Sequence, residues 1–226
     1  MRPQAFIFDL DGVLTDTARL HYLAWKRLSD ELGLQFDEQQ NEALKGVSRL
    51  GSFEIILANN GKSEAYTLAQ KEALAERKNE YYRALVETLT EEDILPGIAE
   101  LLGELRKAGI PTAVASVSKN APRVLERIGL ADTFDVVADA ARIRRSKPDP
   151  EIFLTCAEQL GVEPSACIGI EDSQAGIDAI VHGGMYAVGI CVTGEGEAPH
   201  WMVGSTAELV FDKLMARFDA WSQKGE

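Results

Sequence analysis

The sequence predicts an α/β fold, in which a parallel sheet covered by helices on both faces is interrupted near its start by a wholly helical insertion. Three observations carry this expectation. An apolar run, Ala5 to Phe8, has the length and composition of a buried strand and ends in two acids, Asp9 and Asp11. From Thr17 to Leu89 the apolar spacing is helical and no strand pattern intervenes. From Pro96 onward, helices and short strands alternate.

The elements follow in order. Residues i and i+2 of an extended chain share a face. Asp9 and Asp11 therefore sit side by side past the end of the first strand, Leu10 turns into the core, and Gly12 allows a sharp exit. Leu20, Leu23, Ala24, Leu28 and Leu32 then mark a helix that Gly33 stops. Helical patches continue over Glu38–Lys45, Ser52–Ala58 and Ser63–Leu89. Ile98, Leu101, Leu102 and Leu105 line a helix ending before Gly109. Thr112–Ala115 is a strand ending in Ser116, followed by a helix with Pro122 in its first turn and Gly129 near its end. Phe134–Ala138 is a strand, and Asp149-Pro150-Glu151 opens a helix with Asp149 as its cap, Pro150 at its first position and an acid in its first turn. Ala166–Ile170 is a strand ending in Glu171-Asp172-Ser173, and a helix runs on to His182. Tyr186–Ile190 is a further strand. The tail offers an apolar stretch, Leu209–Phe211, and an amphipathic helix near Lys213–Trp221.

Composition narrows the function. The chain has 226 residues, enough for one large domain or a domain with an insertion. Its net charge of −13 argues against nucleic acid or an anionic membrane surface as partner, because the summed field repels both. An anionic substrate would need local basic groups to overcome that field. Cys156, Cys167 and Cys191 form no C-x-x-C pattern and read as reduced residues of a cytoplasmic protein. No signal peptide or membrane span is legible.

Polar residues collect at the carboxyl ends of successive predicted strands, where open α/β sheets place their ligands. The first gives Asp9 and Asp11, the second Ser116 with Val117-Ser118-Lys119-Asn120, a later loop Lys147, and a later strand Glu171 and Asp172. Each has a plainer reading as a turn residue, a helix cap or a solvated charge. Together they describe a phosphoryl-transfer site with a carboxylate nucleophile, a hydroxyl and an ammonium for phosphate oxygens, and acids for Mg²⁺.

Phe8-Asp9-Leu10-Asp11-Gly12-Val13, Ser116, Lys147-Pro148 and Gly169-Ile170-Glu171-Asp172 resemble, in order, the four motifs of the haloacid dehalogenase superfamily. The resemblance implies a Rossmann-like core, residues 1–16 and 90–226, with a helical cap domain inserted over 17–89. A finer resemblance is to the β-phosphoglucomutase family. It rests on Leu14-Thr15-Asp16-Thr17, His21, Trp25, Leu44-Lys45-Gly46-Val47-Ser48-Arg49, Arg77-Lys78-Asn79, Ser116–Asn120 and Glu171–Ile177. Leu50-Gly51 stands where related mutases commonly carry acids, although Ser52 is kept. The run Arg142-Ile143-Arg144-Arg145 is more basic than expected and reads as a solvated loop.

The finer resemblance implies that Asp9 is phosphorylated and that Asp11 is the general acid and base. One Mg²⁺ is held by Asp9, Asp172, Glu171 and the Asp11 carbonyl, and Ser116 and Lys147 neutralise the transferring phosphate. Arg49, Ser118, Lys119 and Asn120 would cradle the other phosphate. Lys45, Gly46, Ser52 and Lys78 would contact the sugar, and Thr17, His21, Trp25 and Val117 would complete the substrate site. His21 has a second reading as a packing residue. The implied reaction interconverts β-D-glucose 1-phosphate and glucose 6-phosphate through the 1,6-bisphosphate, in a monomer. A sugar-phosphate phosphatase on the same fold is the nearest alternative and a non-catalytic phosphosugar-binding protein the next; the Lys45–Arg49 segment discriminates the mutase from the phosphatase.

Overall fold

The computed structural model describes residues 2–223. Among them six strands form one sheet: β1 (Ala5–Phe8), β2 (Thr112–Val114), β3 (Val136–Val137), β4 (Cys167–Glu171), β5 (Tyr186–Ile190) and β6 (Trp201–Val203). The spatial order is β3-β2-β1-β4-β5-β6, and every pairing is parallel. The order reverses at β1, between β2 and β4, which makes the carboxyl end of β1 the natural ligand crevice.

Alternation along β1 explains why the sheet needs cover on both sides. Phe6 and Phe8 enter one apolar cluster with Val114, Ile168 and Ile170, while Ala5 and Ile7 enter the opposite one with Ala113, Phe153 and Cys156. The helices supplying that cover among the described residues are α5 (Ile98–Ala108), α6 (Ala121–Arg127), α7 (Glu151–Leu160), α8 (Gln174–His182) and α9 (Phe211–Ser222). The sheet is the parallel one expected.

Residues 18–86 carry only helices: α1 (Ala18–Glu31), α2 (Glu38–Glu42), α3 (Arg49–Asn59) and α4 (Leu68–Val86). They have an apolar core of their own around Trp25, Leu28, Phe36, Phe53, Ile56 and Leu57. Ala24, Tyr82 and Val86 instead join the cluster on the sheet, so α1 and α4 bridge the two bodies. Local chemistry fixes the helix starts. Asp37 and Thr67 each close a capping box with the Gln three residues on, and Ser48 accepts from the Gly51 N–H.

Leu209 is buried and Phe211 opens α9. The sixth strand is Trp201–Val203, an edge strand in which only Val203 is fully buried, so its apolar pattern is too short to read. Asp149 is not the residue that caps α7, because the helix begins one residue later; its carboxylate instead takes the Glu151 N–H at 3.0 Å. Among the described residues no helix is long and apolar enough to cross a membrane.

Candidate active site

The carboxyl ends of β1, β2 and β4 open into a cavity of about 490 Å³, roofed by the helical insertion. Its floor is charged. Asp9 follows β1 directly and is nearly buried. The Lys147 ammonium donates to Asp9 Oδ1 and to Glu171 Oε1, each at 2.5 Å. Glu171 Oε2 accepts from the backbone N–H of Asp172 and of Ser173, both at 2.8 Å, and from the Ser173 hydroxyl at 2.9 Å. Both oxygens of Glu171 are thus engaged, and the side chain holds Lys147 against Asp9. Past β2, the Ser118 N–H donates to Ser116 Oγ at 3.2 Å and the Asn120 N–H to Ser118 Oγ at 3.3 Å, which winds the chain into α6. Ser116, Val117, Ser118, Lys119 and Asn120 all face the cavity.

The roof meets this floor at several points. Lys45 Nζ reaches Asp172 Oδ2 at 3.0 Å and Glu42 at 3.0 Å. Asn120 Nδ2 donates to Asn79 Oδ1 at 2.8 Å, and Arg83 Nε donates to Asn120 Oδ1 at 3.3 Å. Trp25, Lys45, Gly46, Arg49, Leu50, Ser52 and Lys78 line the cavity wall. Lys78 is 2% exposed. Its ammonium lies 4.7 Å from the Trp25 ring, 4.9 Å from the Tyr82 ring and 2.7 Å from His21 Nδ1. His21 therefore partners Lys78 and packs on Tyr82 at 4.0 Å between ring centres. Thr17 is fully buried just before α1 and lies outside the cavity wall. Arg142, Arg144 and Arg145 are exposed; Arg145 pairs with Asp149 and Glu151, while Ile143 and Ser146 line the cavity.

Burial sets the electrostatics. Desolvation pushes Asp9 well above the usual carboxylate range against the pull of Lys147, and Glu171, Asp11 and Asp172 add to the push. Asp11 rises to about 7, chiefly through burial and then the charge of Asp172. Asp172 rises to about 6 through burial and Glu171, with Lys45 opposing. Burial opposes charge on Lys147 and Lys45 as well, but their acidic partners outweigh it and hold both above the ordinary value. Burial and then the Arg49 charge lower Lys78 to about 7, and burial with the charges of Lys78 and Arg49 keeps His21 neutral.

The acids on this floor fit a hard divalent cation. Asp9, Asp11, Glu171 and Asp172 repel one another, and Asp11 Oδ1 is buried without a hydrogen-bond partner. Mg²⁺ takes one or two carboxylates and completes its shell with phosphate oxygens and water. Two glycines make the crowding possible. A Cβ on Gly12 (φ +78°) would stand 2.3 Å from Asp172 Oδ2, and one on Gly176 would stand 1.9 Å from Glu171 Cδ. Gly176→Ala should therefore displace Glu171 and lower stability by about 1–3 kcal/mol, the range of overpacked cores; urea unfolding measures it.

Glu76 lines the cavity although no motif in the sequence marks it, and Asn79 does so from the Arg77-Lys78-Asn79 signature. Glu72, Glu76 and Asn79 recur at helical spacing on the face of α4 that lines the cavity. That spacing was the available signal, but acids on a helix read first as a solvated face.

A family model described as haloacid dehalogenase-like hydrolase matches residues 3–184. A β-phosphoglucomutase of Bacillus subtilis (strain 168) is 44% identical over 97% of this chain and 96% of its own length. A fructose-1-phosphate phosphatase of Escherichia coli (strain K12) is 32% identical over 84% of this chain and 97% of its own. The crystal structure of a β-phosphoglucomutase from Clostridium difficile superposes with a TM-score of 0.93 at 43% identity, covering 98% of this chain and 99% of that one. With the Asp9, Ser116, Lys147 and Asp172 positions gathered at the carboxyl edge of one parallel sheet, the chain belongs to the haloacid dehalogenase-like hydrolase family.

Proposed function

We propose that this chain interconverts β-D-glucose 1-phosphate and β-D-glucose 6-phosphate, with residues 17–89 acting as a cap over the site. The observation that carries this reading is the spread of basic and hydroxyl groups around one cavity. Lys147 donates to Asp9 at its floor, where Ser116 also lies, and Arg49 lines the same cavity as Ser118, Lys119 and Asn120, which we assign to a second phosphate. A phosphatase needs only the first site. A mutase must also hold the phosphate that is not being transferred, and the near full-length likeness to β-phosphoglucomutases supports that choice.

The residues divide the work as follows. Asp9 carries the phosphoryl group. Asp11 takes the proton of the C6 hydroxyl as that oxygen attacks the phosphorus and the bond to Asp9 breaks, giving the 1,6-bisphosphate. The bisphosphate turns round. Asp9 then attacks the phosphorus on C1, and Asp11 returns its proton to the departing C1 oxygen. With a value near 7, Asp11 is suited to both directions. Mg²⁺, held by Asp9 and Asp172 with Glu171 and the Asp11 carbonyl, would neutralise charge on the transferring phosphate. Lys147 supplies a fixed positive charge beside it. The Lys45–Asp172 and Asn79–Asn120 contacts close the cap on the core and exclude water, which competes with the sugar hydroxyl for the phosphorylated Asp9. Action as a cytoplasmic monomer is part of the proposal.

A panel of sugar 1-phosphates with Mg²⁺ and a trace of bisphosphate tests it by following isomer formation and phosphate release together. Phosphate release without isomer would make the chain a phosphatase. Arg49→Ala should lower isomerisation by on the order of 10²–10³ and affect hydrolysis of a small phosphate ester far less. Equal losses would remove Arg49 from the distal phosphate site.

A further inference from the structure

Three cations at the cavity are already held by carboxylates of the chain. Lys147 is held by Asp9 and Glu171, and Lys45 by Asp172 and Glu42. Arg49 is held by Glu76, with Nη1 2.5 Å from Oε2. Asp9, Glu171 and Asp172 belong to the transfer machinery. Glu76 has no such part, yet it lines the same cavity from α4 and takes the guanidinium that the distal phosphate requires.

We propose that Glu76 is a built-in competitor for the non-transferring phosphate, occupying Arg49 until a phosphate displaces it. The inference deepens the proposed function and rests on its assignment of Arg49. Three features support an exchange over a fixed structural pair. Arg49 and Glu76 both sit on the cap, on α3 and α4, so cap opening does not separate them and only a rival anion can. The pair is accessible, with side chains 26% and 51% exposed, so a phosphate can reach it and the bond is of the modest surface kind. Glu76 also has somewhere to go. Its Oε1 accepts from Asn79 Nδ2 at 3.0 Å and lies 3.8 Å from Arg83 Nη1, so the released carboxylate keeps one hydrogen bond and one cation beside it. A planar guanidinium binds phosphate by a double hydrogen bond that a carboxylate matches only with one charge. A phosphate dianion therefore wins the exchange, and weaker monoanions are turned away.

The test uses inorganic phosphate as probe, titrated by calorimetry into the full chain with Mg²⁺ present. Glu76→Gln keeps the size of the side chain and removes its charge. It should bind phosphate about 2- to 5-fold more tightly than the wild type, the range of releasing a surface ion pair. Glu76→Ala should move the same way. Arg49→Ala should weaken binding, and Glu76→Gln added to Arg49→Ala should gain nothing further. Unchanged or weaker binding by Glu76→Gln would overturn the proposal. So would a gain that persists without Arg49, since it would reflect only the removal of one charge from an acidic protein. If Arg49→Ala leaves phosphate affinity unchanged, the distal-site assignment fails and the inference falls with it. A wild-type chain that isomerises no sugar 1-phosphate would sink the activity alone, because the phosphate titration does not depend on turnover.

Discussion

Asp9→Asn will not be phosphorylated and will lose isomerisation by on the order of 10⁴–10⁶, the scale on which removing a nucleophile acts. An amide does not attack phosphorus, and no neighbouring group can replace it. Asp11 lacks the fixed cation that Lys147 gives Asp9. Glu171 has both oxygens engaged, by Lys147 and by the first N–H groups after β4. Asp172 is bound to Lys45. The variant should nevertheless fold. Asp9 is buried among three other acids, and its charge is disfavoured there despite Lys147. Replacing the charge with an amide of similar shape relieves repulsion from Glu171, Asp11 and Asp172. Thermal unfolding should therefore show a melting temperature equal to or above that of the wild type. Intact-protein mass spectrometry after incubation with the bisphosphate should show the phosphorylated species in the wild type only. A phosphorylated Asp9→Asn protein would move the nucleophile elsewhere.

Those two acids were legible because a strand and a turn are local. Ala5 to Phe8 has no polar residue, and the i, i+2 spacing of Asp9 and Asp11 places them past its end whatever the rest of the chain does. The parallel sheet was legible because each later strand repeats that pattern, as Cys167–Glu171 and Tyr186–Ile190 do. The edge was not. β6 is three residues long with Met202 exposed, and it exists because β5 leaves an unpaired row beside it. The roles of Lys78 and Glu76 were not legible for a different reason. Both lie on α4 among many charges, and nothing local separates a solvated helix charge from one facing another helix. Packing decides it. Trp25 and His21 on α1 enclose the Lys78 ammonium, and the start of α3 brings Arg49 to Glu76. Lys78 lines the cavity wall, with its ammonium 4.7 Å from the Trp25 ring and 4.9 Å from the Tyr82 ring.

Lys147→Met should be the most destabilising change at the site, by about 3–5 kcal/mol at neutral pH, because it leaves buried acids without their counter-ion. Met has nearly the volume of Lys and can fill the space over Phe153, whose ring centre lies 5.0 Å from the ammonium, so lost packing is a minor part. The carboxyl groups of Asp9 and Glu171 would then lose the ammonium between them in a site where both residues are almost fully buried. A pH series with a chelator present separates the two causes. Lys147 is the largest force pulling Asp9 down, and without it only burial and like charges remain, all raising the carboxyl. A group whose folded value is raised adds nothing below its ordinary value of 3.8, where it is protonated in both states. It penalises the fold increasingly as pH climbs above that point, and levels off past the folded value. Asp9 is raised in the wild type too, so the stability gap should widen as pH rises through its wild-type folded value, whereas a packing defect would leave the gap constant.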